Sequence, residues 1–174
     1  MEMVAVSSPA AVYRAQGVAL LRCPARHATR RPAVKPTSIL ETVLYAEDLD
    51  AAEAFYVGVL GLAVHARSAG RQVFFRCGNQ MLLIFNPKAT VKPPAADARL
   101  PVPPHGAVGE GHVCFAATAN EIERWAAHLQ SAGIAIEADF RWPTADGSQG
   151  GRSIYFRDPA GNAIEFAEPR IWGF

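Results

Sequence analysis

The sequence contains no apolar run of the length needed to cross a membrane, which is about 20 residues. The longest apolar stretch near its start, residues 18–21, is also too short for the core of a secretory signal peptide. Only three cysteines occur, Cys23, Cys77 and Cys114, and none lies in a CxxC spacing. An odd number without paired spacing argues against a disulfide framework or a structural zinc site. We expect a cytoplasmic protein with no membrane partner.

The chain also lacks a strong excess of either charge, because 17 lysines and arginines stand against 16 aspartates and glutamates. The basic residues are concentrated in residues 1–36, where Glu2 is the only acidic residue, so the rest of the chain is mildly acidic. Nucleic-acid-binding proteins usually present a basic face. We therefore expect no nucleic-acid partner.

Residues 1–36 show no helical or strand periodicity and mix prolines, small residues and arginines. This composition predicts a disordered N-terminal extension. An arginine-rich, acid-poor leader is also typical of organelle transit peptides, and that alternative stays open.

Residues 37–174 are predicted to form one α+β domain. In a first module, residues 37–87, a strand at 38–45 precedes a helix with Asp48 as its N-cap and Gly61 as its end. Further strands are predicted in this module at residues 62–66, 72–76 and 81–85. A linker at residues 88–110 follows, where prolines disfavour regular structure.

A second module, residues 111–174, repeats this order. It has a strand at 112–117, a helix from an Asn120 cap to Gly133, and strands at 134–140, 153–157 and 163–167. The glycine-containing segment 141–152 is predicted to be a mobile loop.

The repeat is also visible in the spacing of its landmarks. Glu41 precedes Gly61 by 20 residues, and His112 precedes Gly133 by 21. The segment 74–76, Phe-Phe-Arg, mirrors 155–157, Tyr-Phe-Arg, in the second copy. Repeated units of this size indicate two βαβββ modules that share one sheet.

Three polar residues lie in otherwise apolar predicted strands: Glu41, His112 and Glu165. Glu41 and His112 occupy equivalent positions in the two modules. Each residue has an ordinary alternative, since a strand glutamate can reach solvent and a strand histidine is more often a hydrogen-bonded core or surface residue. Buried charges persist when they are paired or bound to metal. No basic residue shares a strand face with any of the three, so the pattern favours a bound cation.

With these residues in place, the chain resembles the vicinal oxygen chelate superfamily, which includes glyoxalase I, bleomycin-resistance and fosfomycin-resistance proteins and extradiol dioxygenases. The resemblance covers roughly residues 38–172. It implies two βαβββ modules in a curved mixed sheet that cups a metal, with Glu41, His112 and Glu165 as ligands, and a homodimer. The motifs that carry it are residues 41–50 (ETVLYAEDLD), Phe55-Tyr56, residues 60–62 (LGL), residues 111–113 (GHV) and residues 158–165 (DPAGNAIE).

Two positions depart from the patterns of known members of that superfamily. The fourth ligand position of glyoxalase I corresponds to Leu83, which cannot bind a metal. Extradiol dioxygenases bind iron with two histidines and one carboxylate, whereas Glu41 stands at the first histidine position here. Both departures count against a direct transfer of either activity.

The ligand set predicts a divalent cation, either Mn, Fe, Ni, Co or Zn, with open positions for a substrate that chelates it through adjacent oxygens. Lewis-acid chemistry with Glu165 or Glu41 as the base fits a lyase, isomerase or epimerase. Two alternatives stay open, an extradiol-type dioxygenase and a bleomycin-resistance-like binding protein without catalysis.

Three further residues are candidate substrate contacts: Tyr155, Arg152 and Trp172. Each also has an ordinary role, as a core aromatic, a solvated loop cation and a C-terminal packing residue respectively. His105 in the linker is a weaker candidate, because a surface loop histidine is the simpler interpretation.

Overall fold

The computed structural model describes residues 35–174, so the predicted disordered extension lies almost wholly outside the described residues. In chain order its elements are β1 (Glu41–Tyr45), α1 (Leu49–Gly58), β2 (Ala63–Ser68), β3 (Gln72–Cys77), β4 (Gln80–Phe85), α2 (Pro87–Thr90), β5 (His112–Ala116), α3 (Ala119–Ser131), β6 (Ala138–Pro143), β7 (Gln149–Arg157), β8 (Ala163–Ala167) and a 3-10 helix (Pro169–Trp172).

The strands form two four-stranded sheets with the same topology, β1-β4-β3-β2 and β5-β8-β7-β6. In each sheet the first strand of the module pairs in parallel with the last, and the other neighbours are antiparallel. The predicted duplication of a βαβββ module is therefore confirmed. Each module forms a sheet of its own, whereas the sequence predicted one shared sheet.

One hydrophobic core serves both modules. Helix α1 contributes Phe55 and Tyr56, whose rings lie 6.4 Å from Phe156 of β7 and 5.3 Å from Phe75 of β3 respectively. These contacts place α1 against strands of both modules. Residues 36–174 accordingly form one compact unit.

Buried hydrogen bonds also join the modules. The side chain of Asn162 accepts a hydrogen bond from the backbone N–H of Gly111 and donates one to the carbonyl of Tyr45 in β1. It also donates to Asp158, which accepts a second hydrogen bond from the phenol of Tyr56 in α1. The DPAGN segment therefore fixes β1 of the first module next to the start of β5 in the second.

The predicted start of the first helix is confirmed and that of the second is wrong. Asp48 accepts hydrogen bonds from the backbone N–H groups of Asp50 and Ala51. In α3 the N-cap is Thr118, which forms a capping box with Glu121, so Asn120 already lies inside the helix.

The predicted mobile loop at residues 141–152 is also wrong, because its two ends belong to the paired strands β6 and β7. The indole N–H of Trp142 donates a 2.9 Å hydrogen bond to Ser153 and fastens the hairpin to the sheet. The linker contains one short regular element, α2, although its prolines predicted none. Across residues 35–174, no helix has the length and apolar character needed to cross a membrane.

Candidate metal centre

Each sheet has one face against the shared core and one face turned away from it, here called its open face. On β5 the core residue Val113 alternates with His112 and Cys114, and on β8 the core residues Ile164 and Phe166 flank Glu165. Because strand side chains alternate, His112, Cys114 and Glu165 project from the open face of the second sheet.

Strand register brings two of the three predicted ligands together. The Nε2 atom of His112 lies 3.2 Å from Oε2 of Glu165. The other ring nitrogen of His112, Nδ1, lies 3.1 Å from the carbonyl oxygen of Ala163. A carbonyl only accepts, so Nδ1 carries the hydrogen, and Nε2 of the neutral ring presents a lone pair toward the carboxylate.

Two acceptor atoms at that separation require a positive charge, either a proton on Nε2 or a cation bound by both. The Glu165 side chain is only 5% exposed, and its second oxygen, Oε1, is buried without a hydrogen-bond partner among residues 35–174. Divalent metals bind imidazole nitrogen and carboxylate oxygen at about 2.0–2.2 Å, so ligand atoms 3.2 Å apart suit adjacent coordination positions. The second-module pair therefore fits a divalent cation, and the backbone carbonyl orients the imidazole.

Two neighbours of Glu165 have a raised pKa. Cys114 lies opposite Glu165 on β5, and Tyr155 lies opposite it on β7. Burial, reinforced by the nearby carboxylate, raises the pKa of both Cys114 and Tyr155 to about 12. A thiol and a phenol therefore border the carboxylate.

Glu41, the third predicted ligand, lies on the other sheet. It begins β1, its side chain is exposed, and it faces Met81 across the parallel pair. Within residues 35–174 of a single chain, no three His, Cys, Asp or Glu side chains are grouped closely enough to hold a metal. The structure thus brings His112 and Glu165 together and does not bring Glu41 to them.

The rest of the first sheet's open face is mostly apolar. Leu83, at the position equivalent to Glu165, is buried and pairs with Val43. At the end of β1 the phenol of Tyr45 is hydrogen-bonded to His105 at 2.9 Å, and the imidazole of His105 packs against Phe85. The predicted candidate His105 therefore lies against the first sheet, whereas His112 and Glu165 belong to the second.

Of the three predicted substrate contacts, Arg152 faces away from the pair. It alternates with Ser153 on β7 and is ion-paired with Asp139 and with Glu123 of α3. Both carboxylates hold the guanidinium of Arg152 on the helix side of the sheet, so the structure does not bring this predicted substrate contact to His112 and Glu165.

Tyr155 projects from the open face and stacks on His112, with ring centroids 6.0 Å apart. Trp172 is 76% exposed and belongs to the 3-10 helix, which packs over Gly151 of β7 through Ile171. Tyr155 therefore borders His112 and Glu165, whereas a substrate contact of Trp172 stays a prediction.

Sequence reasoning missed two aromatic residues on this face, Phe140 and Trp142. Phe140 stacks on Tyr155 at 5.8 Å, and Trp142 packs edge to face on Phe140 at 5.1 Å. The strand predicted at residues 134–140 ends at Phe140, and the nearby glycines masked its continuation through Arg141 and Trp142 in β6.

Comparison with known proteins identifies the family. Residues 38–166 match the model of the Glyoxalase/Bleomycin resistance protein/Dioxygenase superfamily. A search of curated protein sequences finds no match. Among solved structures, a lactoylglutathione lyase from Agrobacterium tumefaciens is 48% identical with a TM-score of 0.72, over 80% of this chain and 98% of that one.

More distant structures share the fold. A virulence protein from Salmonella typhimurium is 26% identical with a TM-score of 0.55, over 78% of this chain and 98% of that one. A glyoxalase/bleomycin resistance protein/dioxygenase from Nocardioides is 21% identical with a TM-score of 0.58, over 79% of this chain and 86% of that one. With the duplicated βαβββ fold, these matches show that the chain belongs to the glyoxalase/bleomycin resistance/dioxygenase superfamily.

Proposed function

We propose that the protein is a divalent-metal-dependent lyase or isomerase of the glyoxalase type, whose small substrate chelates the metal through two adjacent oxygens. The observation that carries the proposal is the facing pair of His112 Nε2 and Glu165 Oε2, 3.2 Å apart. Beside it lies Oε1 of Glu165, which has no hydrogen-bond partner in the described residues. The similarity to a lactoylglutathione lyase supports this type of reaction.

The proposed ligands are His112, Glu165 and Glu41. One imidazole and two carboxylates neutralise a divalent ion and suit Mn, Fe, Ni, Co or Zn. Glu41 is not grouped with the other two within one chain. We therefore propose a homodimer in which Glu41 of a second copy meets His112 and Glu165 of the first.

When bound, the ion supplies Lewis-acid polarisation of the two substrate oxygens. The protein's part is to orient His112 through the Ala163 carbonyl and to shield Glu165 from water. We propose Glu165 Oε1 as the atom that accepts the substrate proton, because it is buried and no hydrogen bond within the described part of the chain occupies it. Glu41 is the alternative base. Tyr155 and Trp172 are proposed substrate contacts.

The test is elemental analysis of protein purified without chelators, combined with turnover assays on hemithioacetals, hydroxy ketones and epoxides. We expect a stoichiometric divalent metal and metal-dependent turnover of at least one of these classes. Glu165→Gln should lose both. Glu168→Gln is the matched control, because Glu168 is buried but ion-paired to Arg141 and Arg170, and it should retain the metal.

Two outcomes would contradict the proposal. Ligand binding by metal-free protein would support the binding-protein alternative, and oxygen consumption with catechols after Fe(II) loading would support the dioxygenase alternative. The base is assigned by measuring turnover of Glu41→Gln and Glu165→Gln in excess metal, which restores occupancy of a weakened site. The variant that lacks the base should stay inactive, and the other should regain turnover.

A further inference from the structure

A row of aromatic rings leads away from the candidate metal centre along the open face of the second sheet. His112 stacks on Tyr155 with centroids 6.0 Å apart, and Tyr155 stacks on Phe140 at 5.8 Å with an interplanar angle of 6°. Trp142 completes the row at 5.1 Å from Phe140 and 64° to it. The rings thus form a continuous path from a proposed ligand to the β6–β7 hairpin.

The outer end of this row is fixed in place. The indole N–H of Trp142 donates to the hydroxyl of Ser153, which is fully buried in β7. Phe140 is opposite Ser153 in the strand register and stacks almost parallel to Tyr155. Neither outer ring therefore has to be ordered when a ligand arrives, which lowers the entropy cost of binding.

The two outer rings nevertheless remain accessible. Phe140 and Trp142 are each 40% exposed, whereas the aromatic rings of the core are buried. The planes of Phe140 and Trp142 are inclined at 64° to each other, so the two rings meet edge to face. We call the angle between them the corner. Aromatic pairs prefer these offset-stacked and edge-to-face arrangements, so the corner suits one more flat ring.

From this geometry, and resting on the proposed function, we propose that Phe140 and Trp142 form a subsite for a flat aromatic substituent on the metal-chelating substrate. A substituent next to the chelating oxygens extends past Tyr155 and reaches the corner. The subsite makes the enzyme selective for aryl-substituted over methyl-substituted substrates. The proposed occupant is a substrate group, because the row begins at the proposed ligand His112 and its outer ring Trp142 is held in place by Ser153 before any ligand binds.

The test compares two chelators that share adjacent oxygens and differ only in their substituent, acetohydroxamate and benzohydroxamate. Their affinities for the metal-loaded full-length protein are measured by calorimetry, which is independent of turnover. We expect benzohydroxamate to bind about tenfold more tightly, the range that burying and stacking one ring provides. Phe140→Leu and Trp142→Leu should bring the ratio close to one while acetohydroxamate affinity and metal content stay unchanged.

Phe174→Leu is the matched control, because Phe174 is 90% exposed and lies outside the row, and it should keep the wild-type ratio. Equal affinity of both chelators in wild type, or an unchanged ratio in both Leu variants, overturns the aromatic subsite but leaves the metal site standing. Absence of metal-dependent binding by either chelator overturns the proposed function and the subsite together. If Phe140→Leu raises the dissociation constant of the dimer and leaves the ratio of benzohydroxamate to acetohydroxamate affinity unchanged, the rings belong to a subunit interface instead.

Discussion

The phenol of Tyr56 in the first module donates a 2.9 Å hydrogen bond to the carboxylate of Asp158 in the second. Tyr56 is fully buried, and burial together with the charge of Asp158 raises its pKa well above the usual value. This single contact therefore couples the docking of the two modules to pH.

Tyr56→Phe should lower the free energy of unfolding at pH 7 by about 1–3 kcal/mol, because Asp158 loses one of its buried donors. Above pH 10 the unfolded phenol ionises while the folded one keeps its proton. Wild-type stability should then fall by about 1.4 kcal/mol per pH unit more steeply than that of the variant. Urea unfolding between pH 7 and 11 checks this, and parallel curves would contradict it.

Removing the imidazole at His112 should remove the metal. We expect His112→Ala to lower the affinity for divalent metal at least about tenfold, the smallest loss seen even for outer-shell partners of metal ligands. The matched control is His128→Ala, because the His128 ring is bonded to the carbonyl of Val59 near the end of α1, away from both open faces. Competition with a metallochromic chelator measures both variants, and equal losses would argue against His112 as a ligand.

The matching strand registers of the two modules indicate where a metal ligand can be added to the first sheet. Leu83 pairs with Val43 as Glu165 pairs with Cys114, so Leu83→Glu places a carboxylate at the symmetry-equivalent position. The metal-free variant should lose more than about 2 kcal/mol, because the new carboxylate is buried without a partner. Excess metal should raise its Tm more than it raises the Tm of wild type.

The neighbouring position supplies the control for that substitution. Leu82 faces the shared core, so Leu82→Glu should lose at least as much stability and regain none of it with metal. Equal responses of the two variants to metal would show that Leu83 does not face the metal centre.

The α3 N-terminus gives a prediction about stability alone. Thr118→Ala should lower the free energy of unfolding by about 1 kcal/mol, because the capping box is lost. Asn120→Ala should change it by less than about 0.5 kcal/mol, since Asn120 is exposed and caps nothing. Thermal denaturation of both variants measures the two losses. A larger loss for Asn120→Ala than for Thr118→Ala would show that Asn120 is the cap.

The duplicated fold could be predicted because its signals are local. Alternating apolar residues, the Asp48 cap and the glycine after each helix depend on neighbours within a few positions. The strand predicted at residues 163–167 coincides with β8, and that at 72–76 ends one residue short of β3.

The hairpin of β6 and β7 could not be predicted in the same way, because distant partners stabilise it. Glu168 accepts a hydrogen bond from the backbone of Arg152 and pairs with Arg141. Once β7 is continuous, Arg152 lies three positions from Tyr155 and must project from the opposite face. The misassigned loop thus hid the fact that Arg152 and Tyr155 lie on opposite faces of β7.

The grouping of Glu41 with His112 and Glu165 stays a prediction. Strand periodicity shows which face a side chain takes, and this was sufficient to pair His112 with Glu165 through adjacent strands. Whether the open faces of two sheets come together depends on contacts between the sheets. These contacts produce no periodic pattern in the sequence.

The separation of Glu41 from His112 on different sheets has a genetic consequence. If each site combines residues of two copies, Glu41→Gln and His112→Ala damage opposite halves of every site. A mixed dimer then carries both lesions in one site and none in the other, so two inactive proteins should regain up to half of the wild-type activity per mixed dimer. Co-expressed tagged variants test this complementation, and a mixed dimer without activity would indicate that each site lies within one chain.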